Sequence, residues 1–514
     1  MDSKRNWKHI CCSVLRILLC MILLYGCQTA VKTESTPIVA VETEPAFEES
    51  APSEAPVLAE PDRIRTVYEP ETAYSCPPTV IQKVETVAQL EALASVPTPQ
   101  GAWFILNDAG NAICLQEKEV PLHEVFAKCY GTIIPVFELP SASAAESLQA
   151  FTKASRTMDF LVAAETAETL RSVSAVGVGK VLITDRVTES TSQEVWRTGA
   201  TAVVVPQITA DEAADLQLHW IAVLLQPPLA AEDAVRAALQ CGADMVVTTD
   251  ARAAYRVYSS AAPESSVVRK TFIVAHRGVH DHAPENTLAS FTEAVKAGAD
   301  AVECDVYITK DGHAVICHNE TVGMYVTDGT DARVEDLTRA ELKALPLKAE
   351  EAYADERFAF LDELMDAMQD NTVHLVIEIK TDNPGCVGLI RELAEERNLL
   401  SRISIISFLP EQIAAAREQI PEAPASLLAN VGISDPDKYL SSFYRNTTGQ
   451  LVGYSPSMSF TPEGVTAFRH RGILINLWTI DGEDAMLRAQ HAGVTTLTTN
   501  TVEERTALTD LNKP

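Results

Sequence analysis

The chain has 514 residues, 46% of them hydrophobic and 22% charged, a globular composition with room for more than one domain that excludes disorder as a whole. Its 41 basic and 71 acidic residues leave a formal net charge of -30 at pH 7. So few Lys and Arg argue against a nucleic-acid groove or a polybasic membrane patch, and an anionic substrate would have to be held by local cations or a metal.

In chain order, Lys4, Arg5 and Lys8 precede the apolar run "ILLCMILLYG", which is too short for a comfortable membrane span and reads as an export signal over residues 1–27. "LLYGC" resembles a bacterial lipobox, with Leu24 three residues before Cys27 and the small Gly26 just before it. The resemblance implies cleavage ahead of Cys27, lipid attachment to its thiol and a place on the outer face of a bacterial cell membrane. Residues 28–75 are rich in Pro, Glu, Ser, Thr and Ala and poor in large apolar side chains, and are expected to form a disordered, extended acidic tether. Seven cysteines follow Cys27 without CxxC spacing, so buried thiols are expected rather than a zinc site or a disulfide framework.

From Cys76 onward, short β-branched runs such as "ATAVVVPQ" and "HLVIEIK" alternate with helix-length amphipathic segments, the pattern of parallel strands covered on both faces. The pattern occurs twice. "LHEVFAKCYGTIIPVFEL" matches "LDELMDAMQDNTVHLVIEI" with one gap, setting Glu138 against Glu378, and "ILNDAGNAICLQ" parallels "YITKDGHAVICHN". The expected fold class is α/β, with a barrel-like domain at 76–265 and a TIM-barrel-like domain at 266–514.

In "ADAVECDVYI" the strand period of two puts Glu303 and Asp305 on one face and Cys304 on the other. Two such close carboxylates raise each other's pKa unless a divalent cation sits between them; the alternative is an edge strand that turns both to solvent. In "HLVIEIK", Glu378 and Lys380 share a face, either as a third carboxylate in an all-oxygen set suited to Mg or Ca, or as a buried ion pair serving the fold alone. His276 and His318 each close an apolar run and so fall at strand ends, where barrels collect catalytic groups, and two such histidines can divide base and acid roles. His280, His282, His374, His470 and His491 read as structural.

Together "HRG" at His276–Gly278, "PENT" at Pro284–Thr287, "GADAVECDV", "TKDGHAVICHN", "FLDEL", "EIK" and "WTID" resemble the glycerophosphodiester phosphodiesterase family over about residues 270 to 510. The resemblance implies a TIM-barrel-like fold and metal-dependent hydrolysis of glycerophosphodiesters, or of glycerol-phosphate polymers, to an alcohol and glycerol 3-phosphate. It makes His276 and His318 the acid/base pair, and Glu303, Asp305 and Glu378 the ligands of Mg or Ca. Arg277 becomes a phosphate ligand, Lys380 a charge near the phosphate, and Trp478 a substrate contact. The family usually has Asp where this chain has Asn319, which would weaken the acid role of His318 and alter activity.

Aligned by the repeat, the first copy has Gly101 and Trp103 in place of Glu303 and Asp305, Leu115 in place of His318 and Pro140 in place of Lys380, and it is expected to be non-catalytic. Two other readings compete: phospholipase D-like action on intact or lyso phospholipids, which needs an exposed apolar rim that the polar segment after His318 does not suggest, and a non-catalytic surface binding lipoprotein.

Overall fold

The computed structural model describes residues 64–508 apart from 73, 175–176, 261–265, 282, 430–434, 436, 439, 442, 444–454 and 457–459. The export signal, Cys27, the tether as far as residue 63, and His282 lie outside the described residues. Among the described residues no helix is long and apolar enough to cross a membrane.

The first half is a closed barrel of eight parallel strands: β1 (Thr79–Lys83), β2 (Gly101–Ile105), β3 (Ile134–Glu138), β4 (Phe160–Ala164), β5 (Val178–Ile183), β6 (Ala202–Val205), β7 (Ala222–Leu225) and β8 (Met245–Thr248). Each strand pairs with the next, and β8 returns to β1. Runs such as Ala202–Val205 are buried at every position because one face meets the helices and the other the lumen. Ile81, Trp103, Val136, Leu224 and Met245 fill that lumen.

The second half lays out β9 (Phe272–His276), β10 (Ala301–Ile308), β11 (Ala314–Ile316), β12 (His374–Ile379), β13 (Ile403–Ser407), β14 (Ala425–Ala429), β15 (Ser455–Pro456), β16 (Asn476–Leu477) and β17 (Thr496–Thr499). Eight of these form a parallel sheet in the order β15-β14-β13-β12-β10-β9-β17-β16, with β11 folded back antiparallel on β10.

This sheet curls into a second barrel that is not closed among the described residues, and the two barrels belong to one compact unit and meet through the N-terminal ends of their strands. Asp159, just before β4, is fully buried, and Arg471, in the loop before β16, grips it with Nε at 2.6 Å and Nη2 at 2.7 Å. Burial alone would raise the Asp159 carboxyl, but Arg471 and Arg65 hold it below the usual carboxylate range. Arg269 links the Asp244 carboxylate to the Gly493 carbonyl across the same junction. His470 pairs with Thr79 at 2.9 Å, and the His219 and His374 rings meet edge to face at 5.1 Å.

The expected tether boundary at residue 75 is corrected here. Ile64, Arg65 and Val67 are buried, and Tyr74–Ser75 pairs with Ser266–Val267. The segment is held by polar contacts that its composition hides: the Arg65 amide donates to Asp159 Oδ2 at 2.8 Å, and its guanidinium donates to the Met158 and Asp159 carbonyls at 2.9 and 2.7 Å.

Because removing one partner strands a buried charge, Arg471→Ala should cost about 3–5 kcal/mol of stability. Equilibrium denaturation of the full chain checks this, and a loss below about 1 kcal/mol would show that the pair does not hold the junction.

Candidate active site

The site is assembled at the C-terminal ends of β9, β10 and β12. Strand register sets His276 beside Glu303, Glu303 beside Val376, and Asp305 beside Glu378. The period of two sends Cys304 into the core and turns both carboxylates to the lumen, so the edge-strand alternative falls. Glu303, Asp305 and Glu378 are 2%, 1% and 9% exposed, and each offers an oxygen within 4.8 Å of the others.

Such crowding away from water disfavours ionisation. Burial, then Asp305 and Glu378, push Glu303 well above the carboxylate range, and burial with Asp305 pushes Glu378 up to about 7. Two cations respond. Lys380 Nζ lies 2.9 Å from Glu378 Oε1 and 3.5 Å from Asp305 Oδ1. Arg277 donates its amide to Glu303 Oε2 at 3.0 Å, places Nε 3.5 Å from Asp305 Oδ2, and reaches both Glu285 oxygens at 3.3 Å. Asp305 Oδ1 makes no hydrogen bond although it is buried. An all-oxygen set with a buried acceptor left over fits a hard divalent cation.

Backbone geometry explains the "HRG" motif. Arg277 has φ 57° and Gly278 φ 82°. A Cβ on Gly278 would come 2.5 Å from Ser290 Oγ, so glycine lets the turn pack on helix Leu288–Ala297, whose N-cap is Thr287. Asn286, also left-handed with φ 58°, donates to Asp305 Oδ2 at 2.9 Å.

His276 ends a parallel strand as expected, and its Nδ1 sits 2.7 Å from Asn500 Oδ1. Asn500 is oriented by Asp481, which accepts from its Nδ2 at 2.8 Å and its backbone amide at 2.7 Å. The Asn oxygen therefore accepts the Nδ1 proton and leaves Nε2 as a lone pair. Burial, then Arg277, lower the His276 pKa and favour the neutral ring. His280, read as structural, donates to the same Asn500 oxygen at 3.0 Å and so belongs to the site's support.

The expectation for His318 needs correction. It ends no barrel strand but lies two residues beyond β11, the returning arm of a hairpin that carries β10 past the barrel rim. The turn at Asp311 and Gly312, with Cys317 donating to the Asp305 carbonyl at 2.9 Å, brings it back over the carboxylates. Its Nδ1 lies 2.8 Å from Asn319 Oδ1. His276, Arg277, Glu303, His318, Glu378 and Lys380 line one cavity, and Trp478 closes its side with Phe408 edge-on at 5.7 Å. Asn286, His280, Asp481 and Asn500 escaped the sequence reading, although Asn286 lies within "PENT", Asp481 within "WTID", and Asn500 directly follows β17.

Register also corrects the assignment in the first barrel. Lys83 pairs with Trp103, which pairs with Val136, and Ile105 pairs with Glu138. Trp103 and Ile105, rather than Gly101 and Trp103, therefore stand where Glu303 and Asp305 do, and Lys83 stands where His276 does. The hairpin arm after this strand is two residues shorter than the one after β10, so matching the hairpins slides the strand by two. Trp103 Nε1 donates to Glu138 Oε2 at 2.8 Å, so an indole occupies the place of the second barrel's Glu303 carboxylate.

A family model described as the glycerophosphoryl diester phosphodiesterase family matches residues 276–504, which take in every one of these second-barrel residues and leave the first barrel outside. A glycerophosphodiester phosphodiesterase of Caldanaerobacter subterraneus is 32% identical over 247 residues, spanning 46% of this chain and 96% of that protein. One from Bacillus altitudinis is 28% identical over 235 residues, 44% of this chain and 92% of that protein. Among solved structures, an Oleispira antarctica phosphodiesterase in complex with the product sn-glycerol-3-phosphate is similar with a TM-score of 0.41 and 22% identity, over 46% of this chain and 96% of that one. Through its second half, the chain belongs to the glycerophosphoryl diester phosphodiesterase family.

Proposed function

We propose that the protein hydrolyses glycerophosphodiesters, releasing an alcohol and glycerol 3-phosphate, with a divalent cation held by Glu303, Asp305 and Glu378. Lipid on Cys27 anchors it to the outer face of the cell membrane. The observation that carries the reading is the clustering of this carboxylate triad at one cavity, which Glu303 and Glu378 line together with two cations and two histidines. When bound, Mg or Ca supplies charge that polarises the phosphoryl group. Arg277 and Lys380 balance the remaining phosphate charge, and the planar Arg277 fork exchanges Glu285 for phosphate oxygens. Neutral His276, its Nδ1 proton held by Asn500, takes the proton of the attacking hydroxyl at Nε2. His318 returns a proton to the leaving oxygen; Asn319 accepts its Nδ1 proton but adds no negative charge to favour the cationic ring.

A second substrate class is favoured by one observation. Met324, 67% exposed, comes from the polar segment after His318 and meets Asn319 Nδ2 at 3.1 Å, while Phe408, 39% exposed, stands beside Trp478. Phe408 at the cavity and Met324 beside Asn319 thus offer apolar side chains to the acyl chain of a lysophospholipid.

In a release assay with glycerophosphocholine and lysophosphatidylcholine, activity should need Mg or Ca, vanish with chelator, and fall at least about 100-fold in His276→Ala. In the same assay Asn319→Asp should carry the alkaline limb of kcat to higher pH, because a carboxylate keeps His318 protonated longer. Turnover that survives chelation would sink the metal reading, and an unchanged limb the role given to Asn319.

For Glu378 the folded pKa, about 7, lies above the ordinary 4.5, so the folded state binds the extra proton and metal-free stability falls as pH rises between those values. Added divalent cation should therefore raise Tm more at pH 7.5 than at pH 5; an equal shift would place the cation elsewhere. Anchoring is checked by Cys27→Ala, which should move the protein from the membrane fraction to the medium; retention on the membrane would refute it.

A further inference from the structure

The cavity that holds the catalytic groups is not closed by its own barrel. Its lining includes Trp220, which belongs to the first barrel and lies just before β7, and the cavity encloses about 70 Å³. Trp220 is 4% exposed and has φ 58°, an uncommon conformation for a bulky residue.

Ladder register shows what this position is. Leu224 pairs with Met245, which pairs with Thr79, while Asn476 pairs with Thr496, which pairs with Phe272. Leu224 and Asn476 are thus equivalent, and four residues earlier stand Trp220 and Gly472. The turns agree: the Trp220 and Ile221 amides donate to the Gln217 and Leu216 carbonyls, and the Gly472 and Ile473 amides to the Arg469 and Phe468 carbonyls. Gly472 is left-handed too, with φ 67°. Each barrel therefore offers the other its pre-strand loop, with opposite sizes at the tip. On Gly472 a Cβ would come 3.2 Å from Met245 Cε, and two residues on Leu474 joins the first barrel's lumen core. Trp220 enters the second barrel in exchange.

The second lumen is cut to receive it. Ser404 and Ser426, two residues below Ile406 and Leu428 on the same inward faces, are fully buried yet small. Val274 and Val376 form the layer directly beneath His276 and Glu378, and both line the cavity with Trp220. TIM barrels fill their lumen with layers of their own side chains. Here the other barrel adds Trp220 to the lowest one, which the second barrel's own His374 shares with Ser404, 2.8 Å away.

We propose that Trp220 is a positioning residue for the phosphodiesterase site: it is the floor on which the layer beneath His276, Glu303 and Glu378 rests. This rests on the function proposed above. Without the indole, the small lumen side chains leave a void into which Val274 and Val376 settle or water enters, and the carboxylates lose their fixed spacing. The first barrel would then be a part of the catalytic one rather than its spacer.

The test uses the full chain carrying Trp220→Ala, Trp220→Phe, Trp220→Leu or Met245→Ala, assayed well below each melting temperature, with Mg or Ca affinity measured by calorimetry. Met245→Ala empties the first lumen at the same junction and controls for a merely structural loss. Trp220→Ala should lower kcat and weaken cation binding, each by about tenfold or more, with Phe restoring most of both and Leu falling between. Met245→Ala should lower Tm while leaving kcat within about twofold. The proposal is overturned if Trp220→Ala, or Trp220→Leu should the alanine variant not fold, keeps wild-type kcat, pH profile and cation affinity, or if Met245→Ala loses as much kcat. If the wild-type chain turns over no phosphodiester, the function reading falls by itself, and the calorimetric comparison still decides the floor.

Discussion

Three carboxylates buried within 4.8 Å of one another cannot all stay charged without compensation, and the strand-end face of the second barrel is organised around that constraint. Lys380 and Arg277 lean on the triad, Asn286 spends an amide on Asp305, and one buried Asp305 oxygen still lacks a hydrogen bond. The cations proposed to hold a phosphate are thus paired with carboxylates. Such exchangeable pairing keeps cations dry and aimed, and raises their response to the charge that replaces it.

The first barrel shows what the same framework becomes without the constraint. Trp103 stands at the position of Glu303 and its indole satisfies Glu138, the one acidic residue left. Apolar side chains then fill the lumen, while the second lumen keeps Ser404, Ser426 and Thr496. One lumen is packed with apolar side chains and the other keeps polar ones. Their shared base, tied by Asp159, Arg471 and Arg65, joins them into one unit.

The strand carboxylates were legible because a period of two and a run of β-branched neighbours are local signals. Glu303, Asp305, Glu378 and Lys380 could be placed on one face from the sequence. The Asn500–Asp481 support was not, since an asparagine after a strand is ordinary until a histidine 224 residues earlier in the chain is seen beside it. Arg65 was hidden for the same reason: a segment rich in Pro and Glu looks like tether, and nothing local says that Asp159 waits for it. The two-residue slip in the first copy arose where the hairpin changed length, a change that keeps inward residues inward and so leaves no trace in the pattern.

Base-to-base docking also fixes how the molecule can be held. The described chain begins at Ile64 and Arg65, inside the junction and at neither mouth. The strand-end mouths open away from that junction in opposing senses. Covering the first barrel's mouth would therefore leave the catalytic mouth open.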